Sequence, residues 1–448
     1  MSGEVRDEML GAALRGLEVP EHRSGFDVAL RQRLDEETAP RKRPRQAPPP
    51  RPAFRPGPWA WGLSAAAVIA VAVLVVTSTL PGTRPRAATA SEVRQTVARA
   101  WARAQNVSGI LVSRAPEVFE QGTRRWSFIL TARGDFRLED LTRGGTVVYD
   151  AQAGVERGLN PSESIPDSDV LFASERRGLP PGPPDQGPAS SSLDRGLGSV
   201  VRALASGGGG TVKEITYAGR PAWLLETDIR VNLVAPGSPN HLDVTVDQGT
   251  GFPVHVVATR DGEFVWESRI EDLEVDGQVP EDAFHLEFPP NAEVFRSDAG
   301  FRRVSLDEVE GIVDYEPLVP AWVPEGYEAP EVTASRKGSP TGAEAGNPPV
   351  GDVVSLSYRR GLDQFIVTMR PVGPDPSLWG DPLASGEGYR DEPEEVVLER
   401  GALAGETGQL LIDPLAIPHV WVKTDSLVVT VSGDLSRQEL LRVAESLR

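Results

Sequence analysis

An uninterrupted apolar segment lies near the N-terminus, between Pro58 and Pro81. It runs from Trp59 to Leu80 without a charged residue. As an α-helix, a segment of this length rises about 33 Å, which is enough to cross a hydrocarbon core of about 30 Å. The pattern therefore predicts a single transmembrane helix over residues 58–81.

Basic residues are concentrated on the N-terminal side of this segment. Residues 41–55 contain six Lys or Arg and no Asp or Glu. The positive-inside rule then predicts a cytoplasmic N-terminus and an extracytoplasmic C-terminal region, anchored in the inner (cytoplasmic) membrane. The competing interpretation is a cleaved signal peptide with its cleavage site at residues 88–90. Both the leader and the apolar core are longer than in signal peptides, so an uncleaved anchor is favoured.

The residues before the anchor divide into a tail and a tether. In the tail, residues 1–38, apolar side chains recur at every fourth position in two short stretches, at Val5, Met9, Ala13 and Leu17 and then at Phe26, Leu30 and Leu34. Two helices of this size cannot bury a core. The tail is therefore either a docking element for a cytoplasmic protein or a disordered segment. The Pro- and Arg-rich residues 39–57 are typical of an extended tether.

Beyond the anchor, the spacing of apolar residues changes from four to two. Residues 91–105 follow a helical pattern, and seven or more alternating segments, interrupted by a short helix over residues 193–205, predict antiparallel strands. Asp261-Gly262 is typical of a tight hairpin, because it supplies the positive φ angles that such a turn needs. The apolar face of this sheet must pack on a second sheet or on the two helices.

Residues 301–448 repeat the mixture of helix and strand signals. Ser305 with Glu308 predicts the start of a short helix, and Ser436 with Glu439 predicts the start of a final one. Alternating segments lie between them. We therefore expect a separate small α+β domain over residues 301–448, after a first domain over residues 87–300.

Two stretches of this outer part carry a family resemblance. Trp-Leu-Leu-Glu at residues 223–226, followed by Asp-Val-Thr-Val-Asp-Gln-Gly-Thr-Gly-Phe-Pro-Val at residues 243–254, resembles a strand-turn-strand passage of the LolA-like and MucB/RseB-like periplasmic proteins. Pro-Ala-Trp-Val-Pro-Glu-Gly-Tyr at residues 320–327 is similar to the start of the second domain of the MucB/RseB-like proteins. The resemblance implies an α+β fold: a curved antiparallel half-barrel, closed by helices around an apolar cavity for acyl chains, and a second small α+β domain, here behind a single transmembrane helix.

Aromatic and aliphatic residues alternate along the predicted strands. Each of them either fills a core or lines a cavity that takes an acyl chain, where every buried methylene contributes about 0.8 kcal/mol. The candidate ligand-binding residues are Trp126, Phe128, Leu130, Phe136, Leu138, Trp223, Leu225, Phe264 and Trp266.

Charge and composition exclude several classes of partner. Beyond Leu80 there are 35 basic and 56 acidic residues, a net charge of −21, which disfavours binding to nucleic acid. The basic stretch before the anchor is assigned to topology and anionic lipid headgroups rather than to nucleic acid. The chain has no cysteine, so disulfides and thiolate metal sites are excluded.

The sequence carries no strong catalytic or metal-binding motif. There are five histidines and neither a His-Glu-x-x-His nor a Gly-x-Ser-x-Gly sequence. Asp243 and Asp247 would lie some 13 Å apart in a strand, too far for concerted acid and base chemistry. Gly207–Gly210 lacks the Lys of a phosphate loop. We expect no enzymatic activity, no cofactor and no metal, with the histidines in structural roles.

The leading hypothesis is a membrane-anchored extracytoplasmic sensor. The resemblance implies that the outer region binds a lipid or an acylated protein and takes part in envelope-stress signalling with a sigma factor or an anti-sigma factor. The alternative is an anchored factor that handles lipoproteins or lipids without signalling. A purely structural envelope protein is a third possibility. Deletion of residues 1–38 separates the first two, since only a sensor needs its tail.

Overall fold

The computed structural model describes residues 87–114, 123–160, 171–179, 197–206, 208–229, 239–335, 352–372, 393–412 and 417–448. These ranges belong to one compact unit that extends from Arg84 to Arg448. The predicted tail, tether and transmembrane segment, residues 1–38, 39–57 and 58–81, lie outside the described residues. Within the described ranges, no helix combines the length and the apolar character needed to cross a bilayer.

The described residues form two sheets, and the first of them has twelve strands. They are β1 (Asn106–Arg114), β2 (Thr123–Thr131), β3 (Phe136–Asp140), β4 (Thr146–Asp150), β5 (Val155–Asn160), β6 (Leu171–Arg177), β7 (Thr211–Tyr217), β8 (Arg220–Asp228), β9 (His241–Asp247), β10 (Pro253–Arg260), β11 (Glu263–Val275) and β12 (Ala292–Asp298). The spatial order is β12-β6-β5-β4-β3-β2-β1-β11-β10-β9-β8-β7, so the sheet is open and has two edges.

Two meanders are joined into this sheet by a long-range pair. Strand β1 pairs antiparallel with β11, and Leu111 lies opposite Ile270. At one edge, β12 pairs with β6 in parallel, which differs from the all-antiparallel sheet that the sequence predicts. The strands of a parallel pair must be linked by a crossover connection and not by a tight turn. The sequence therefore has no local turn signal that predicts this pair.

Two helices pack on one face of the first sheet. Helix α1 (Ala90–Arg103) begins with a capping box between Thr89 and Glu92 and buries Val93, Val97 and Trp101, which confirms the helix predicted over residues 91–105. Helix α2 (Ser199–Ser206) lies within the helix predicted over residues 193–205, apart from its last residue. Both helices share a single core with the first sheet.

The second sheet has eight strands and its own core. They are β13 (Phe301–Arg303), β14 (Glu331–Ser335), β15 (Val353–Arg360), β16 (Asp363–Pro371), β17 (Glu394–Val397), β18 (Thr407–Leu411), β19 (His419–Lys423) and β20 (Leu427–Gly433), in the spatial order β13-β14-β15-β16-β20-β19-β18-β17. Helix α3 (Leu306–Val309), a 3₁₀ turn (Gly401–Leu403) and helix α4 (Arg437–Ala444) complete this part.

Both predicted capping boxes are present in the second part. Ser305 and Glu308 form the first, at α3. Ser436 and Glu439 form the second, at α4. The apolar side of α4 is buried, as its periodicity predicts, because it packs on the sheet. Overall, the described chain is mostly β-sheet with few helices, and both sheets are open.

Candidate functional site

Eight of the nine candidate residues lie on the face of the first sheet that α1 and α2 cover. We call it the helix-covered face. The strand register places them on it: Trp126 is opposite Leu111, Phe128 is opposite Leu138, and Leu225 is opposite Val244. The sequence alternation therefore predicts which side chains share a face.

These eight residues differ in burial. Five are buried in the core with the helices: Trp126, Phe128, Phe136, Leu138 and Leu225. The other three, Leu130, Trp223 and Trp266, are partly buried and pack against that core. The partly buried residues are the ones among the eight whose side chains retain contact with solvent.

Phe264 lies on the opposite face, which we call the outer face. The pairing of β10 with β11 shifts at Ala258, so that Trp266 is opposite Ala258 while Phe264 is opposite Thr259. The extra residue of this bulge reverses the alternation. Phe264 is 38% exposed and lies beneath the Arg114 guanidinium, 4.8 Å from its carbon to the ring centre.

Helix α1 supplies the largest side chain over the helix-covered face. The Trp101 ring lies 5.8 Å from the Phe252 ring, measured between centroids. Val200 and Leu204 of α2 are buried in the same core. The apolar surface is therefore built from the sheet and from two helices.

One end of the helix-covered face is polar. Arg124, Ser113 and Ser268 lie side by side on β2, β1 and β11. Arg124 and Ser268 are both buried. In the next row towards the middle of the strands, the Trp126 indole N–H is buried and has no hydrogen-bond acceptor. Sequence reasoning named Trp126 for its apolar ring and missed this donor.

The second sheet contacts α1 directly through the β15–β16 turn. The Leu362 amide donates to the Trp101 carbonyl at 3.1 Å. Gly361, at φ +56°, lies so close to the helix that an added Cβ would be 2.5 Å from the Ala102 carbonyl oxygen. A residue with a side chain does not fit there, so this turn is shaped to the C-terminal end of α1.

Charged residues surround the same contact. Arg202 of α2 forms an ion pair with Asp434 at 3.4 Å. Asp363 is buried and pairs with Arg360 at 2.7 Å. Burial raises the pKa of Asp363 to about 7, the nearby charge of Asp434 raises it too, and the hydrogen bond from Arg360 opposes both effects. No sequence motif indicates this cluster, because its members come from distant segments.

The histidines of the first sheet make carboxylate contacts on the outer face. His255 Nε2 lies 2.9 Å from Glu267 Oε1. His241 lies between Asp228 at 2.7 Å and Asp243 at 3.1 Å. The hydrogen bond that the His241 ring donates to the Asp228 carboxylate is the main reason that the pKa of His241 is raised. Among the described residues, no group of three or more His, Cys, Asp or Glu side chains is arranged to hold a metal ion.

A cavity of about 460 Å³ lies on the outer face beside the β7–β8 turn, with Tyr217 and Val254 in its wall. Its two arginines are in ion pairs, Arg220 with Asp247 and Arg269 with Glu271, each at 3.0 Å. Because each of these arginines is paired with a carboxylate, the charges in the cavity wall indicate neither an anionic nor a cationic ligand.

Similarity to known proteins is found among solved structures. No protein-family model matches the chain, and no curated protein matches it. Among solved structures, the MucA/MucB complex of Pseudomonas aeruginosa is similar over 80% of this chain and 98% of that chain, at 18% identity and a TM-score of 0.29. A crystal structure of MucB covers 80% and 97%, at 18% identity and a TM-score of 0.30.

A LolA superfamily protein from Nitrosomonas europaea is similar over 45% of this chain and 99% of that chain, at 9% identity and a TM-score of 0.18. The solved structures similar to this chain include MucB and a LolA superfamily protein.

Proposed function

We propose that this chain is a membrane-anchored extracytoplasmic sensor. In this proposal, the helix-covered face binds the acyl chain of a lipid or of an acylated protein, and the cytoplasmic tail acts on a sigma factor or an anti-sigma factor. The observation that supports it most directly is the convergence of eight alternating apolar residues on a single helix-covered face.

The position of α1 supports a signalling role. The helix begins at Ala90, nine residues after the end of the transmembrane helix predicted over residues 58–81. The buried side of α1 packs on the helix-covered face, and its C-terminal end contacts the β15–β16 turn of the second sheet. A ligand that displaced α1 would therefore act on the second sheet and on the segment that precedes the helix.

The partner follows from the family resemblance. A MucB protein has been solved in complex with MucA and with MucA(peri). The motifs at residues 223–226, 243–254 and 320–327 resemble those of the MucB/RseB-like proteins, whose two-domain forms regulate an anti-sigma factor. We therefore place an anti-sigma factor first among the partners. The proposal includes no catalytic step and no cofactor.

A pair of matched variants in β11 tests ligand binding. Trp266 and Phe264 are two residues apart and lie on opposite faces of the sheet. The full-length chain is extracted from its host membrane, and native mass spectrometry with lipid extraction measures bound lipid. We expect a stoichiometric lipid or acylated peptide on the wild-type chain and on Phe264→Ala, and less than half of it on Trp266→Ala. No bound species on the wild-type chain, before or after addition of acyl lipids, contradicts the proposal.

Deletion of residues 1–38 tests the signalling step. RNA sequencing of the host compares the full-length chain with the deletion, at equal amounts of protein in the membrane. If the chain is a sensor, the deletion abolishes a defined set of host transcripts, and the shortened chain retains its bound lipid. Unchanged transcripts with retained lipid favour an anchored lipid-handling factor instead.

A further inference from the structure

The indole N–H of Trp126 is a buried donor without an acceptor. Trp126 is 6% exposed, and its Nε1 atom makes no hydrogen bond. Buried Trp N–H groups usually find a partner, because the donor loses its hydrogen bond to water when it is buried. Its position on the helix-covered face therefore needs an explanation beyond packing.

The two residues opposite Trp126 on the neighbouring strands do not accept this hydrogen bond. Across the strands, Trp126 faces Leu111 on one side and Asp140 on the other. Asp140 Oδ1 already accepts from the amides of Thr142 and Arg143, at 2.8 and 2.9 Å, in the turn after β3. Those two bonds hold the carboxylate in its own turn.

Trp126 also marks a change of polarity along the helix-covered face. On one side of it lies the polar row of Arg124, Ser113 and Ser268. On the other side lie the apolar positions Phe128 and Leu130 of β2. From Arg124 to Leu130 the strand extends about 20 Å. The helix-covered face thus has polar side chains at one end and apolar side chains along the rest of β2. The Trp126 N–H, which has no acceptor, lies between the two.

We propose that the Trp126 N–H donates a hydrogen bond to the carbonyl oxygen of an acyl ligand. The chain of that ligand lies along the apolar positions, and its carboxylate or ester group lies at the polar end. This inference rests on the proposed function, because it specifies the ligand of the same face. A hydrocarbon without oxygen that lay along the same apolar positions would leave the donor unpaired.

Three probes of equal chain length test this assignment. Palmitate, methyl palmitate and hexadecane are delivered from cyclodextrin to the delipidated full-length chain in amphipol, and binding is measured for the wild type and for Trp126→Phe. Loss of one buried hydrogen bond corresponds to about three- to tenfold in affinity. We expect Trp126→Phe to weaken binding of the two oxygen-containing probes by that factor and to leave hexadecane unchanged. Trp266→Phe is the control, and it should affect all three probes equally.

The outcomes separate this inference from the proposed function. If none of the probes binds to the wild type, the proposed function fails and the inference fails with it. If all three bind and Trp126→Phe changes them equally or not at all, the face binds apolar chains and the hydrogen bond is refuted. A free fatty carboxylate is the source if palmitate alone responds to the substitution, and an ester is the source if methyl palmitate alone responds.

An infrared measurement needs no variant. The carbonyl stretch of methyl palmitate labelled with ¹³C at its carbonyl should fall to lower wavenumber when the probe binds to the wild-type chain, relative to its position in hexadecane solution. A stretch that stays at its position in hexadecane shows an unbonded carbonyl and refutes the inference.

Discussion

Replacing Asp363 by Asn should flatten the pH dependence of the contact between the second sheet and α1. The carboxyl group of Asp363 is buried at that contact and has Arg360, Asp434, Glu439 and Tyr327 around it. Burial raises its pKa from the ordinary 3.8 to about 7, and the charge of Asp434 acts in the same direction. Asn keeps the shape of the protonated side chain and removes the titration.

The sign follows from linkage. A carboxyl group whose pKa is raised by folding binds its proton more tightly in the folded state, so its stabilisation is fully present below pH 3.8 and is lost as the pH rises through about 7. Each pKa unit corresponds to about 1.4 kcal/mol, so the whole displacement is worth about 4 kcal/mol. More than half of this, about 2–3 kcal/mol, falls between pH 5 and pH 8.

The assay compares free energies of unfolding of the full-length wild type and of Asp363→Asn across this pH interval, by urea denaturation. Hydrogen exchange in the last turn of α1 reports on the contact itself. The wild type should lose about 2–3 kcal/mol more than the variant between pH 5 and pH 8. Asp425→Asn, at an exposed position, is the control and should parallel the wild type.

Two parallel stability profiles for the wild type and Asp363→Asn would refute this reasoning. They would mean that Asp363 titrates at its ordinary pKa, and hence that the turn after β15 is open to solvent. A variant that is more sensitive to pH than the wild type would refute it equally, because the sign of the linkage would be reversed.

Three further substitutions test the packing. Gly361→Ala should destabilise the chain by about 2 kcal/mol or more, because of the positive φ and the carbonyl next to the added methyl group; faster hydrogen exchange at the end of α1 checks it. Leu225→Ala, at a fully buried position, should cost about 2–5 kcal/mol in urea denaturation, whereas the exposed Val397→Ala should cost little. Ser436→Ala should remove the cap of α4 and cost about 1 kcal/mol by the same measurement.

Local features of this chain were predictable from its sequence. The Asp261-Gly262 turn adopts the positive φ angles expected of it, and the capping boxes at Ser305 and Ser436 begin helices. Each depends on residues within a few positions of one another. Alternation likewise placed eight candidate residues on one face, because the side-chain period of a strand is two.

Other features depend on residues that are far apart in the sequence. The β1–β11 pair joins Leu111 to Ile270 and makes one sheet of two meanders. The bulge that moves Phe264 to the outer face arises in the pairing of β10 with β11. Either arrangement depends on which strands become neighbours, and alternation within a strand carries no information about its partner.

The candidate site shows the same division. Its apolar character was predictable from the alternation of residues such as Phe128 and Leu138, because alternation is a property of each strand's own sequence. The unpaired donor of Trp126 and the raised pKa of Asp363 depend on what surrounds those groups after folding. Burial and the supply of hydrogen-bond partners are properties of the packed chain, so only the tertiary structure determines them.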